Sequence, residues 1–102
     1  MVLKTIYVAH PFRGDPEGNR EKVREKVILL KEQNPDCCFV SPLDAFRWAD
    51  GFPDDEVLDM CKELVIRCDA VYMCKGWEAS VGCRMEEGLA RFLDKEVLYE
   101  KP

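Results

Sequence analysis

The sequence lacks the motifs that identify several common classes of protein. His10 is the only histidine and none of the six cysteines forms a C-x-x-C pair, so a finger-type zinc site has too few ligands. There is no G-x-G-x-x-G motif, no P-loop, no internal repeat and no domain linker. No apolar run approaches the roughly 20 residues that span a bilayer, and the first residues lack the pattern of a signal peptide. We therefore expect neither a zinc-finger protein nor a membrane protein.

Positive charge is also scarce. The 15 Lys and Arg against 20 Asp and Glu give a net charge of −5, whereas a binder of polymeric DNA or RNA needs a basic face. A small anionic ligand remains possible, because one Arg and a helix N-terminus can hold a phosphate on an acidic protein. The cysteines lie mostly in apolar runs, which predicts reduced thiols in a cytoplasmic protein rather than a disulfide framework.

Strands and helices alternate along the 102 residues, which predicts a single domain over residues 1–102. The predicted strands are 2–9, 37–40, 69–74 and 96–100, and the predicted helices are about 17–33, 54–67 and 80–93. Helical connections between strands are right-handed crossovers and give a parallel sheet. We therefore predict an α/β fold, a three-layer Rossmann- or flavodoxin-like architecture with four or five parallel strands and helices on both faces.

The last predicted helix carries a candidate acidic group. Its expected inward stripe consists of Val81, Met85, Leu89 and Phe92. Glu86 borders this stripe, whereas Glu87 is expected to point farther round toward solvent, because neighbouring residues project about 100° apart on a helix. A carboxylate held at the rim of a core can be a desolvated nucleophile or base, although glutamate is also common on exposed helix faces.

Two loops, 10–19 and 75–82, follow strands at the carboxyl edge of the predicted sheet, where ligands bind in such folds. In the first loop, beginning at His10, the pair Arg13-Gly14 precedes a helix N-terminus and suits a phosphate, although an exposed Arg in a turn would look the same. In the second, Ser80 is placed to cap a helix, and Gly82 permits a close approach by a ligand or a strand. The connection 43–53 is rich in aromatics and is either a satellite core or the wall of a pocket.

Three segments together resemble the nucleoside 2-deoxyribosyltransferase-like superfamily. They are IYVAHPFRGD, CDAVYMCKGW and the pattern Ser80-x-Gly82-x-x-x-Glu86-x-Gly88-x-Ala90. The superfamily includes the deoxynucleoside 5′-monophosphate N-glycosidases and small uncharacterised relatives, and the resemblance covers nearly the whole chain in order. It implies that Glu86 attacks the anomeric carbon of a deoxyribose to form a covalent intermediate, and that Tyr7 orients Glu86.

The resemblance also bears on the substrate. Six residues before the glutamate, the transferases carry an aspartate and the monophosphate hydrolases a phosphate-binding serine, and this chain has Ser80. The hydrolases also carry an Arg-Gly pair that falls on Arg13 and Gly14. Two positions depart from the pattern. Pro11 replaces a phosphate-binding serine, and Cys61 stands near the place of an aspartate that contacts the sugar or assists the base. Asp59 or Glu63 could replace that aspartate only if the helix register shifted.

The sequence therefore predicts an enzyme that cleaves or transfers at the N-glycosidic bond of deoxynucleoside 5′-monophosphates, with no metal or other cofactor. The alternative is a binding module, a sensor or sequestering protein, that keeps the pocket without turnover. His10, Gly14, Gly82 and Trp77 are further candidate substrate-binding residues, and Trp77 would either stack on the base or belong to the core. A small core covers itself poorly and family members are commonly oligomers, so we expect a homodimer or larger assembly.

Overall fold

The computed structural model describes residues 2–102 and contains one four-stranded parallel sheet in the order β2-β1-β3-β4. The strands are β1 Lys4–Ala9, β2 Cys37–Val40, β3 Ala70–Met73 and β4 Glu96–Tyr99. The helices are α1 Pro16–Gln33, α2 Pro42–Ala45, α3 Asp54–Arg67 and α4 Val81–Phe92, with 3₁₀ turns at Arg47–Ala49 and Trp77–Ala79. The predicted α/β fold with a four-stranded parallel sheet is confirmed.

The two faces of the sheet carry separate cores. Alternate residues of β1 point to opposite faces, so Tyr7 packs with α3 and α4, whereas Val8 packs with α1 residues such as Val23. β1 and β3 are adjacent, with Tyr7 opposite Val71. Because the chain leaves β1 toward one edge of the sheet and returns past it to β3, the strand order reverses between these two strands. In such sheets this is the place where ligands bind.

Side chains at the helix starts fix the two loops that follow β1 and β3. Asp15 caps α1 by accepting a hydrogen bond from the Gly18 N–H at 3.1 Å, and Pro16 occupies the first helical position, where its missing N–H costs nothing. Ser80 caps α4 by accepting from the Cys83 N–H at 3.2 Å. Both helices therefore begin at the carboxyl edge with their positive ends toward that edge.

The predicted inward stripe of α4 is wrong. Val81 and Phe92 are 64 % and 83 % exposed, Met85 is also exposed, and Leu89 is half-buried. The residues that α4 buries are Cys83, Glu86 and Ala90. These lie at i, i+3 and i+7, so the predicted stripe and the buried residues both have the spacing of one helix face. The face that packs closely against α3 and the sheet is the one with two small side chains, Cys83 and Ala90.

Glu87 also departs from its predicted position. Its side chain is only 12 % exposed, and it accepts a hydrogen bond from the Tyr99 hydroxyl at 2.7 Å. Glu87 therefore ties α4 to β4 and does not extend into solvent.

The thiols and the remaining surface add two observations. All six cysteines are free in the structure, and four of them are buried. Within residues 2–102, no helix is both long enough and apolar enough to cross a membrane.

Candidate functional site

A cavity of about 430 Å³ lies at the carboxyl edge of the sheet, beside the point where the strand order reverses. Its walls come from four parts of the chain: the loop after β1 with the start of α1, the connection 42–53, the first half of α3, and the start of α4. The connection contributes Phe46 and Phe52, so this aromatic segment forms part of a pocket wall. Phe46 packs on the core as well.

A buried hydrogen bond joins Tyr7 to Glu86 at the inner end of the cavity. Glu86 is 6 % exposed and lines the cavity, whereas Tyr7 is fully buried and lies behind it in the core. The Tyr7 hydroxyl donates to Glu86 Oε2, which leaves Oε1 without a partner among residues 2–102. β1 thus supplies the donor and α4 supplies the carboxylate.

Burial controls the protonation of both groups. Desolvation raises the pKa of Glu86 to about 7, and the hydrogen bond from Tyr7 opposes part of this shift because it stabilises the carboxylate. Burial, together with the neighbouring Glu86, raises the pKa of Tyr7 well above its ordinary value. Tyr7 therefore remains a hydroxyl donor at neutral pH, while Glu86 is divided between its protonated and ionised forms.

Cys61 of α3 lies beside this pair and lines the same cavity. Burial raises the pKa of its thiol to about 11, so the side chain is neutral. Asp59 and Glu63 are 77 % and 62 % exposed and pair with Lys62 and Arg67. Neither lines the cavity, so neither carboxylate takes the place of the aspartate expected near Cys61.

The start of α4 forms one side of the cavity through Ser80, Val81 and Gly82. Ser80 Oγ accepts from the Cys83 N–H, and its own hydroxyl hydrogen remains available. In the part of the chain that the structure describes, the Val81 and Gly82 N–H groups have no acceptor. A Cβ at Gly82 would make only ordinary contacts, at 3.9 Å with Leu58 and 4.0 Å with Ser80 Oγ. Protein packing therefore does not require glycine there, and the space beside it belongs to the cavity.

The loop after β1 places two of the three predicted binding residues on the wall. His10 lines the cavity and donates from Nδ1 to the Pro11 carbonyl at 2.7 Å. Arg13 also lines it, but its Nη2 pairs with Asp54 Oδ2 at 2.5 Å. Gly14 lies off the wall, where its φ of 95° makes a turn that favours glycine.

Trp77 does not line the cavity, so its predicted contact with a base requires correction. Its ring packs against the core and against Tyr99, with ring centroids 5.6 Å apart. The 3₁₀ turn Trp77–Ala79 directs this side chain toward β4. The other reading of Trp77, as a core residue, is the one that the structure shows.

Sequence reasoning missed a buried cation on the wall. Arg20 of α1 is 7 % exposed, donates to Asp50 Oδ1 at 2.6 Å, and lies over the Phe12 ring at 5.0 Å. It also donates to Glu17 at 2.9 Å. Arg20 therefore joins α1, the loop after β1 and the connection 42–53. The residues around Arg20 in the sequence are polar, and nothing in them distinguishes a buried arginine from one that is exposed to solvent.

Within residues 2–102, no cluster of three or more His, Cys, Asp or Glu side chains is arranged to hold a metal ion.

Comparison with known proteins identifies a family and a similar solved structure. The profile of a family described as "Domain of unknown function (DUF4406)" matches residues 4–99. A 2-desoxiribosyltransferase from Leishmania mexicana has a similar structure, with a TM-score of 0.70 and 25 % sequence identity over 94 % of this chain. This chain spans 63 % of the length of that protein. The relationship to the deoxyribosyltransferases that the sequence segments indicated is supported by this likeness. No curated protein sequence matches the chain.

Proposed function

The chain belongs to the DUF4406 family, and we propose that it cleaves or transfers at the N-glycosidic bond of deoxynucleoside 5′-monophosphates. The observation that carries this proposal is the buried Glu86 carboxyl, which faces a cavity and is held from behind by the Tyr7 hydroxyl. A carboxyl in an apolar site with one oriented donor is suited to nucleophilic attack, because little solvent has to be removed before reaction. The similarity to a 2-desoxiribosyltransferase agrees with this chemistry.

The proposed reaction begins at Glu86. Its Oε1 forms a bond to C1′ of the deoxyribose while the C1′–N bond breaks, and the bonding electrons leave with the base. Water or a second base then attacks C1′ and breaks the C1′–Oε1 bond, which releases the Glu86 carboxylate, as in retaining glycosidases. The attacking group loses a proton to solvent, and the departed base takes one up. Tyr7 keeps its proton throughout and acts as a positioning residue, because it fixes one carboxyl oxygen and favours the ionised form that attacks.

The start of α4 is the proposed phosphate site. The Ser80 hydroxyl and the free N–H groups of Val81 and Gly82 converge on the cavity wall, and the positive end of the helix adds to them. Arg13 also lies on the wall, where its guanidinium is paired with Asp54 and would have to exchange that partner for the phosphate. The aromatic rings of Phe46 and Phe52 offer apolar surface for the base.

A second function, nucleotide binding without turnover, is favoured by one specific observation. Cys61 lies beside Glu86, and its thiol, with a pKa of about 11, is a poor acid for protonating a departing base. A pocket of the same shape could then serve a sensor or sequestering protein. The two functions share the ligand and differ only in whether the C1′–N bond breaks.

Base release is the test of the first function. The protein is incubated with purine and pyrimidine deoxynucleoside monophosphates, and free base is followed by chromatography beside Glu86→Gln. We expect the wild type to release free base and the variant to release none. In acid-quenched samples of the wild type, mass spectrometry should detect the sugar phosphate attached to Glu86. Tight binding without release would support the binding module. Neither release nor binding with any of these nucleotides would overturn both functions.

A further inference from the structure

An ion pair spans the mouth of the cavity. Arg13 lies in the loop after β1 and Asp54 is the first residue of α3, and both side chains line the cavity. Arg13 Nη2 lies 2.5 Å from Asp54 Oδ2, and the two side chains are 80 % and 79 % exposed. In the free protein the guanidinium proposed to bind phosphate is thus already neutralised by a carboxylate.

No other cation on the wall is free to replace Arg13. Among residues 2–102, Arg13 and Arg20 are the only Lys or Arg side chains that line the cavity. Arg20 is buried and donates from Nη1 to Glu17 at 2.9 Å and from Nη2 to Asp50 at 2.6 Å, which leaves only its Nε without an acceptor. A ligand phosphate at the mouth can therefore recruit Arg13 alone, and Asp54 must release it.

The start of α3 is acidic around this pair. Asp54, Asp55 and Glu56 occupy its first turn, and Pro53 provides no side-chain cap, so the free N–H groups of the helix favour these carboxylates. When a phosphate takes Arg13, the Asp54 carboxylate remains stable in water at the positive end of α3. A second phosphate group, in contrast, would bring further negative charge to a mouth that already holds the displaced Asp54 carboxylate and offers no second unpaired Lys or Arg among residues 2–102.

We propose that Asp54 is a specificity-determining residue of the cavity, which holds Arg13 until a single phosphate displaces it and which disfavours ligands with two or more phosphates. The proposal rests on the proposed function and concerns the same site. It makes the deoxynucleoside monophosphate the preferred class over the di- and triphosphate, because the monophosphate brings the least negative charge to the single guanidinium of Arg13 and to the Asp54 carboxylate that it releases.

The test measures binding by calorimetry at pH 8 in low salt, in a Glu86→Gln background so that no ligand is consumed. The ligands are a deoxynucleoside, its monophosphate and its diphosphate, with orthophosphate and pyrophosphate as base-free probes. Asp54→Asn is compared with Asp55→Asn, which removes the same charge one residue away from the same helix end but outside the cavity wall.

We expect Asp54→Asn to tighten monophosphate and orthophosphate binding about two- to five-fold, the range of an exposed ion pair. Diphosphate and pyrophosphate binding should tighten more, the nucleoside should be unaffected, and 0.5 M salt should reduce these effects. Asp55→Asn should change binding little. In an Arg13→Ala background the monophosphate gain should shrink, because no pair remains to be broken.

Equal effects of the two Asn variants would overturn the proposal, because they would show general electrostatics rather than the Arg13–Asp54 pair. Weaker phosphate binding by Asp54→Asn would also overturn it, since Asp54 would then be positioning Arg13. Failure of the wild type and Asp54→Asn to bind either inorganic probe would overturn it as well. If the inorganic probes behave as expected but no nucleotide binds, the proposed function fails and the role of Asp54 toward phosphates stands.

Discussion

The Tyr7 hydroxyl and the Glu86 carboxyl form a hydrogen bond between β1, one of the two inner strands of the sheet, and the last helix. The two residues are separated by 79 positions in the chain. The donor, Tyr7, lies in the core, and the acceptor, Glu86, lines the cavity. Tyr7 has no route to solvent, so its hydroxyl is satisfied only through Glu86 or its neighbour Cys61. This hydrogen bond makes the ionisation of Glu86 depend on a residue that does not line the cavity.

Tyr7→Phe should shift the pH dependence of base release. The Tyr7 hydrogen bond lowers the pKa of Glu86 from the value that burial alone would give, so its loss raises that pKa above about 7. A hydrogen bond to a charged group contributes about 1.5–3 kcal/mol, so the acid limb of kcat/KM should move upward by about one unit or more. The pH profile of kcat/KM measures this. An equal loss of activity at pH 6.5 and 8.5 would contradict the prediction and indicate a purely structural role.

Glu86→Gln should stabilise the folded protein at alkaline pH. Because the pKa of Glu86 rises on folding from 4.5 to about 7, the folded state binds this proton more tightly, and wild-type stability falls as pH increases across that interval. Gln does not titrate, so the variant should match the wild type below pH 4.5 and exceed it above pH 7, by at most about 3.5 kcal/mol at about 1.4 kcal/mol per pKa unit.

Urea unfolding at pH 4.5 and 8.5 checks this difference. Glu87→Gln is the matched control, because Glu87 also lies on α4 but bonds to Tyr99 outside the cavity. A difference between wild type and Glu86→Gln that is the same at both pH values would show that Glu86 is not the titrating group.

Self-association stays a prediction, and an exposed apolar side of α4 is a surface at which it can be tested. Val81, Met85 and Phe92 are exposed on one side of α4, because their spacing of four and seven residues returns to nearly the same direction on a helix. Phe92→Glu should lower the mass measured by light scattering if this side of α4 contacts a second copy. Ile28→Glu, at another exposed apolar residue on α1, is the control. A monomeric wild type at 0.1 mM would contradict the prediction.

The sheet and the position of the cavity could be predicted because they follow from local patterns. Buried strands such as Lys4–Ala9 are short apolar runs, and the chirality of crossovers then places the loop at His10 and the start of α4 on one edge. The proximity of Tyr7 and Glu86 followed from the resemblance of the segments that carry them. Their catalytic roles remain predictions.

Two kinds of feature could not be predicted. The Arg20–Asp50 and Arg13–Asp54 pairs join residues 30 and 41 positions apart, and a charge on a polar helix start looks the same whether its partner is water or a distant carboxylate. The buried face of α4 was also mistaken, because the pattern offered a larger apolar stripe than the one that packs. Size and hydrophobicity favour the wrong stripe when the contact requires small side chains.

Cys61→Asp should increase base release if protonation of the leaving base limits the reaction. Cys61 lies beside Glu86 on the cavity wall, so a carboxyl there would supply an acid where the wild type has a neutral thiol. General acid catalysis typically contributes about 10²–10⁴-fold, and a tenfold rise in kcat would be a modest share of this. A second carboxyl should also raise the pKa of Glu86, moving the acid limb of the profile upward.

Cys61→Ser is the control, because it preserves size and neutrality and should leave kcat nearly unchanged. The Asp variant should also be less stable than the Ser variant above pH 7, because its carboxyl is ionised at a site that is 8 % exposed. Melting temperatures at pH 5 and 8 separate this cost from the catalytic effect. If Cys61→Asp folds, binds the monophosphate and releases base no faster than Cys61→Ser, protonation of the base is not the limiting step and Cys61 is not what restrains turnover.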